Sequence, residues 1–248
     1  MIEVLLFPAG LSVSLLCSSI GLGGGIFMVP LLLWLGLPAQ VAIGTSLFAI
    51  TVVACSSTLA YALQRRIDYR TGLLLDSLDV PGAVVGAYLT TLLAGKTLSR
   101  LFGSMLLGVA CHLWLRKKTG RKVPPPITPS LLVMTMVGSF TSGLVSGMFG
   151  IGGGIVDEIV MLLALGMSIK LSAGTAMFGM SLTTLPAFLS HFFLDHFSPP
   201  HGLPLAAGCA VGGPMGAMVS KKLNTRTLQR LLGVVVLVVG IRLILWGR

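Results

Sequence analysis

A glycine cluster, Gly21-Leu-Gly-Gly-Gly25, occurs again as Gly150-Ile-Gly-Gly-Gly154, and the residues around it repeat too. A shift of 130 sets Gly36 on Gly166, Gly44 on Gly174, Thr45 on Thr175 and Phe48 on Phe178. The same shift sets Gly82, Gly86 and Ala87 on Gly212, Gly216 and Ala217. It also sets Thr97, Leu98, Arg100, Leu101 and Gly103 on Thr227, Leu228, Arg230, Leu231 and Gly233. The chain is a tandem duplication, so whatever one copy folds into, the other must resemble. Each cluster interrupts apolar sequence, and duplicated apolar halves with glycine-broken helices are the plan of a transporter.

Composition limits the setting. Of 248 residues, 54% are hydrophobic and 10% charged, with mean hydropathy +0.97. A soluble domain needs roughly a quarter of its residues charged, and the apolar runs reach the ~20 residues that cross a bilayer. The expected class is an all-α polytopic protein of the cell (inner) membrane, with lipid as its surroundings. The net charge of +10 lies in short loops between apolar runs, the positive-inside pattern, so nucleic acid is not an expected partner. No basic region precedes the first run, which is read as a retained membrane segment. Cys17, Cys55, Cys111 and Cys209 lie in apolar runs without clustered spacing. They point to buried small side chains rather than to a disulfide framework or metal site, and no cofactor is expected.

The apolar runs are residues 4–20, 26–35, 41–63, 71–93 and 101–115, then 130–149, 155–165, 171–194, 203–220 and 228–246. Between them, the basic stretch Arg116 to Lys122 and the prolines at 124–126 and 129 allow no helix. The organisation read is a first membrane repeat (1–115), a cytoplasmic linker (116–129) and a second membrane repeat (130–248). Runs 26–35 and 155–165 are too short to cross: ten residues of helix span about 15 Å, half the hydrocarbon core. If each short piece reverses direction, a half has five segments and the repeats are inverted. If it merges with the next run, a half has four and the repeats are parallel. The inverted arrangement puts Arg65, Arg66, Arg70, the linker bases, Lys170, Lys221, Lys222, Arg226 and Arg230 inside, thirteen of the seventeen bases. The best parallel arrangement leaves ten inside. The basic 64–70 loop also corresponds to 194–201, which has no Lys or Arg. The expectation is ten segments in two inverted repeats, two of them half-helices, with both termini outside.

Three consecutive glycines weaken a helix and expose backbone N–H groups. In a membrane such backbone must pack against protein or line a cavity. A half-helix starting behind each cluster directs its N–H groups and positive dipole end back at the glycines, a setting that suits an anion without any basic side chain. The candidate substrate-binding residues are Gly23, Gly24 and Gly25, with Thr45 and Ser46, and Gly152, Gly153 and Gly154, with Thr175. The hydroxyls would complete an oxyanion's shell. Close helix packing and Ser/Thr bonding to their own backbone explain the same residues equally simply. The chemistry also suits sodium or water, so the residues alone define a small polar solute, expected to be anionic.

The stretch Gly21-Leu-Gly-Gly-Gly-Ile-Phe-Met-Val-Pro30 with Ala42-x-Gly-Thr-Ser46 resembles the first signature of the sulfite exporter TauE/SafE family of permeases (4-toluene sulfonate uptake permease-like). Gly147-Met-Phe-Gly-Ile-Gly-Gly-Gly154 with Ser172-Ala-Gly-Thr-Ala176 resembles the second. Ile67-Asp-Tyr-Arg70 and the Gly-x3-Gly-Ala pairs at 82–87 and 212–217 are similar as well. The resemblance implies transport of sulfur oxyanions or small organosulfur or carboxylate anions. One departure stands out: where the first half has Phe27-Met-Val-Pro30, the second has Val156-Asp157-Glu158-Ile159. Acids in a first helical turn are favoured by the dipole. They also stand where an anion should bind, which makes Asp157 and Glu158 candidates for proton coupling. A carrier of a neutral or cationic solute stays open.

Asp76 and Asp79 share one helix face, and either a functional role or pairing with Arg65, Arg66 or Arg70 is open. His191, Asp195, His196 and His201 read as a solvated outer loop rather than a metal site. Trp34, Trp114 and Trp246 stand where interfacial anchors would, with Arg242 snorkelling near a helix end. No HExxH or GxSxG spacing is present, so an enzyme is not expected. A channel is the nearest alternative, because broken helices also build filters.

Overall fold

A computed structural model describes residues 2–115, 129–221 and 225–246. The expected linker lies outside them except for Pro129, which starts a helix. Every regular element among the described residues is helical: α1 (Ile2–Ser18), α2 (Gly25–Trp34), α3 (Ala39–Leu63), α4 (Tyr69–Asp76), α5 (Asp79–Leu92), α6 (Gly95–Leu115), α7 (Pro129–Phe149), α8 (Gly154–Ile159, continued by a π-helical turn, Val160–Ala164), α9 (Ile169–Phe193), α10 (Pro199–Val219) and α11 (Thr225–Trp246). Four stretches, Ala39–Leu63, Leu132–Phe149, Ile169–Phe193 and Pro199–Val219, are long and apolar enough to cross a membrane, and α4 with α5 makes a fifth if taken as one bent span. Large apolar side chains such as Leu59, Tyr88, Val137 and Phe193 are exposed along these helices. A lipid surround makes that costless, whereas water would not.

Two helix pairs are packed backbone to backbone. A side chain added at Gly208, Gly212 or Gly216 of α10 would strike the carbonyl oxygens of Phe7, Leu11 and Leu15 of α1. One added at Gly82 or Gly86 of α5 would strike those of Phe140 and Leu144 of α7. Gly143 and Gly147 of α7 return the contact against Asp79 and Ala83. Between lipid-soluble helices the hydrophobic effect gives no attraction, so such close approach supplies the dispersion contacts that hold the pairs together. In both pairs the contacts advance along the two helices in the same direction.

The duplication returns in the contacts at the centre, where α3 and α9 cross. Gly44 lies under the carbonyl of His196, and Gly174 lies under that of Arg66. The Thr45 hydroxyl accepts the Ser198 N–H at 3.1 Å, and the Thr175 hydroxyl accepts the Asp68 N–H at 3.0 Å. Tyr61 donates to the Ser18 carbonyl at 2.7 Å, while His191, its equivalent, meets the Gly147 carbonyl through Nε2 at 2.8 Å. Each residue and its partner move together by 129 or 130, so the halves pack by one set of rules.

Two departures set the surroundings of the second glycine break apart from those of the first. The run 71–93 was expected to be one segment, but it breaks at Ser77–Leu78 into α4 and α5, bent by 41°. The Leu78 N–H donates to the Ser139 hydroxyl of α7 at 3.0 Å, an outside acceptor that stabilises the break. The equivalent α10 runs through unbroken. The second departure is one extra residue. The glycine clusters are related by a shift of 129 and the residues from Gly36 onward by 130, so the second half-helix is one residue longer. The π-helical turn Val160–Ala164 takes up that residue, with the Leu165 N–H donating five residues back to Val160 at 3.2 Å. At the matching place in α2, Leu35 donates four residues back to Leu31. Single π-turns of this kind concentrate at functional sites.

Candidate functional site at the paired glycine breaks

The two glycine clusters lie against each other. A Cβ at Gly25 would strike the Gly150 carbonyl and come within 2.6 Å of the Ile151 Cα. One at Gly154 would come within 3.2 Å of the Gly21 carbonyl oxygen. Gly24 and Gly153 precede the two half-helices with φ of 118° and 72°, values that side-chain-bearing residues rarely adopt. Behind them the Phe27 and Val156 N–H groups turn back to the Gly24 and Gly153 carbonyls at 3.0 and 2.9 Å, which leaves the opening N–H groups, those of Ile26 and Ile155, directed at the break. Gly25 thus meets Gly150, and Gly154 meets Gly21, at one locus. Gly23 and Gly152 both lie against Ile50 and Met180, while Gly24 faces Val13 and Met28 on one side and Gly153 faces Ser142, Asp79 and Asp157 on the other.

Two side chains that sequence reasoning did not single out occupy the space between the clusters. Ile50 of α3 approaches the Cβ positions of Gly25 at 2.7 Å and Gly152 at 2.9 Å. Met180 of α9, its equivalent at a shift of 130, approaches those of Gly23 at 2.8 Å and Gly154 at 2.6 Å. Both are wholly buried. The shift itself was the available signal, since 50 and 180 stand five residues beyond Thr45 and Thr175 in each half.

The hydroxyl residues divide. Ser46 donates to the Gly150 carbonyl at 3.1 Å and belongs to the locus. Thr45 and Thr175 turn to the loops instead: their oxygens take the N–H groups of Ser198 and Asp68, fastening the loops that open α10 and α4.

Asp157 and Glu158 are buried, at 2% and 1% exposure. Asp157 does not stand alone. Asp76, at the end of α4, and Asp79, at the start of α5, offer carboxylate oxygens that lie with one of Asp157 within 4.8 Å of one another. The bend between α4 and α5 brings both Asp76 and Asp79 to the pocket. The Ser142 hydroxyl of α7 lies 3.4 Å from Asp79 Oδ2 and donates to the Gly153 carbonyl at 3.0 Å. A Cβ on Gly153 would stand 3.2 Å from Asp79 Oδ2 and 3.5 Å from Asp157 Oδ2, so the acids flank the second break directly. Neither oxygen of Asp76 or of Asp157 has a hydrogen-bond partner. Two ionised carboxylates 4.8 Å apart repel by about 3.5 kcal/mol at an effective dielectric of about 20, so three cannot share this pocket as bare charges.

Pairing of Asp76 and Asp79 with the loop arginines is not what forms. Arg66 instead donates to Gln64 and Ser220 and to the Lys170 carbonyl. Lys170 donates to the Lys221 carbonyl, so Arg66, Lys170 and Lys221 gather at one end of the helices. The histidine loop is more ordered than a solvated turn. His191 is buried and its Nδ1 lies 3.2 Å from that of His196. Burial lowers the His196 pKa, and neighbouring Asp195 opposes the shift. His201 bonds Ser198 at 2.8 Å. Arg242 stacks on Trp34, 4.7 Å from the ring centre, near the end of α2.

The profile of the sulfite exporter TauE/SafE family matches residues 6–243. The chain is 32% identical to the probable membrane transporter protein YunE of Bacillus subtilis, over 98% of both chains. It is 28% identical to a probable membrane transporter protein of Xylella fastidiosa, over 91% of this chain and 88% of the other. It is 25% identical to one of Methanocaldococcus jannaschii, over 97% and 95%. No solved structure matches. The paired glycine breaks, the buried helices and these relatives together make a multi-pass membrane transporter, and the chain belongs to the sulfite exporter TauE/SafE family.

Proposed function

We propose that the chain is a secondary transporter that moves a small anion, a sulfur oxyanion such as sulfite or an organosulfur or carboxylate anion. The site is the locus between the two half-helix starts, opened alternately to either side. The observation that carries this reading is the meeting of Gly25 with Gly150 and of Gly154 with Gly21, residues far apart in the chain. Two half-helix starts then direct backbone donors and dipole ends at one place. Proteoliposome flux tests it: purified protein under an imposed proton gradient, offered sulfite, sulfate, thiosulfate, sulfoacetate, small carboxylates and taurine. Saturable transport of one of these anions is the expected result. Flux of none of them, with transport of a cation or neutral solute, would overturn the anion reading.

The inverted arrangement is part of the same proposal: ten segments, two of them half-helices, and both termini outside. Its support is the gathering of Arg66, Lys170 and Lys221 at one end, together with the basic bias of the 64–70 loop over its counterpart at 194–201. Reporter fusions in the 116–128 linker and in the 194–201 loop should report opposite sides of the membrane; the same side for both would refute it.

A second reading, a cationic solute, is favoured by the three buried aspartates beside the second break. Under the anion reading the acids must be neutralised whenever the anion is bound, which couples flux to protons or to another cation. Asp157→Asn with Glu158→Gln is expected to flatten the pH dependence of flux by several-fold or more across the acidic range. An unchanged pH profile would remove these two residues from coupling.

A further inference from the structure

We propose that Asp76, Asp79 and Asp157, with the Ser142 hydroxyl beside them, form a binding site for a hard divalent cation of calcium or manganese size. The three carboxylates converge from different helices, and each offers an oxygen within 4.8 Å of the others. Spacing of this order leaves room for the roughly 2.3–2.6 Å ligand distances of calcium and is wide for the roughly 2.0–2.1 Å of magnesium. The donors are all oxygen, the set that suits hard cations over soft ones.

Convergence alone would be weak, because acids cluster for other reasons. Here Asp157 and Asp76 are 2% and 7% exposed, and all four of their carboxylate oxygens lack any hydrogen-bond partner. One oxygen of Asp79 is in the same position, and its other oxygen lies 3.4 Å from the Ser142 hydroxyl, with Ser139 and the Asp76 carboxyl beside the group. None of the described lysines or arginines bonds to the group. A buried charge without a base or a donor needs a cation or a proton.

The equivalent place at the first glycine break provides a built-in control. A shift of 129 sets Gly24, Val13 and Met28 on Gly153, Ser142 and Asp157. A shift of 130 sets Ala206 and Cys209 on Asp76 and Asp79. The contacts correspond: a Cβ on Gly24 would meet the Met28 Cε at 2.9 Å and the Val13 Cγ1 at 3.3 Å. A Cβ on Gly153 would meet the Ser142 hydroxyl at 2.7 Å and, further off, the Asp157 carboxylate. At the first break Val13 and Met28 therefore take the places of Ser142 and Asp157, and Ala206 and Cys209, the equivalents of Asp76 and Asp79, carry no acid. Packing does not require the aspartates, and the oxygen-lined pocket belongs to the second glycine break, with both halves contributing to it. The bend between α4 and α5 and the π-turn behind Asp157, which their equivalents α10 and α2 do not repeat, set the pocket's two walls.

Cation binding is measurable without flux, so this inference does not stand or fall with the identity of the transported anion. Full-length protein in lipid nanodiscs is titrated with Mn2+, and bound ion is read by the loss of the free Mn2+ paramagnetic resonance signal. One Mn2+ per chain, displaced by Ca2+, is expected. Asp157→Asn and Asp76→Asn should each weaken binding by about tenfold or more, since affinity at such sites follows the number of ligand charges. Ser142→Ala removes only a hydroxyl and should fold; it should weaken binding by a few-fold. All variants are compared by gel filtration and by the Mn2+-dependent shift in melting temperature. Absence of stoichiometric Mn2+ on the wild-type protein would overturn the proposal, as would affinity unchanged in both Asp157→Asn and Ser142→Ala.

Discussion

Gly25→Ala should nearly abolish transport, while Gly154→Ala, the equivalent change, should leave a substantial part of it. The added methyl at Gly25 meets backbone: the Gly150 carbonyl and, at 2.6 Å, the Ile151 Cα. Backbone in the glycine break cannot rotate away, so the two clusters must separate. Overpacking of a tight interior costs typically 1–3 kcal/mol and sometimes more, and a rigid neighbour puts this site at the upper end. At Gly154 the methyl meets chiefly the far end of Met180, the Cε at 2.6 Å and the Sδ at 2.7 Å, with the Gly21 carbonyl at 3.2 Å. A methionine tail has three rotatable bonds and yields readily. Flux for Gly25→Ala is expected at least about tenfold below that for Gly154→Ala, the effect of about 1.4 kcal/mol. Truncating the obstacle sharpens the test: Met180→Ala should relieve Gly154→Ala and do nothing for Gly25→Ala. Equal losses in the two glycine variants, measured with equal amounts of folded protein in the vesicles, would show that the two clusters do not hold each other.

That asymmetry between equivalent glycines was beyond the sequence, although the duplication was plain in it. The shift of 130 identifies Gly44 with Gly174 and Thr45 with Thr175, and the structure keeps those pairs in matching contacts. What the shift does not say is where each side chain points. The two threonines stand five residues before Ile50 and Met180 on the same helices, yet they face the loops at 198 and 68. Ser/Thr hydroxyls bond backbone wherever it is offered, and loop backbone lay nearer than the glycine breaks. The acidic pocket was hidden for a different reason. Asp76 and Asp79 read as one helical face, but the helix is broken between them, and their neighbour Asp157 comes from the other half. The break depends on the Ser139 hydroxyl, a partner 61 residues from Leu78 in sequence. The π-turn, by contrast, left a trace: the clusters repeat at 129 and everything after them at 130, one residue too many for an ordinary helix.

Ile50 and Met180 are the residues whose loss should most change the character of transport rather than its amount. They come from the crossing helices α3 and α9, are wholly buried, and fill the space between the two glycine breaks. If alternating access works by opening this locus to one side at a time, these two side chains are the seal that is present when neither side is open. Ile50→Ala with Met180→Ala removes most of that seal while leaving the backbone donors of both half-helices in place. Each truncation costs about 2–5 kcal/mol of stability if the cavity does not collapse, so the double variant should be purified at low temperature and compared with Ile50→Leu and Met180→Leu, which keep the volume. The expected result is a non-saturating anion leak several-fold above the wild-type background, insensitive to the proton gradient, with saturable flux reduced. The volume-conserving variants should stay saturable and coupled. A double variant that is folded, tight and merely slower would place the permeation route elsewhere, because a plug removed from a real pathway must leave a hole in it.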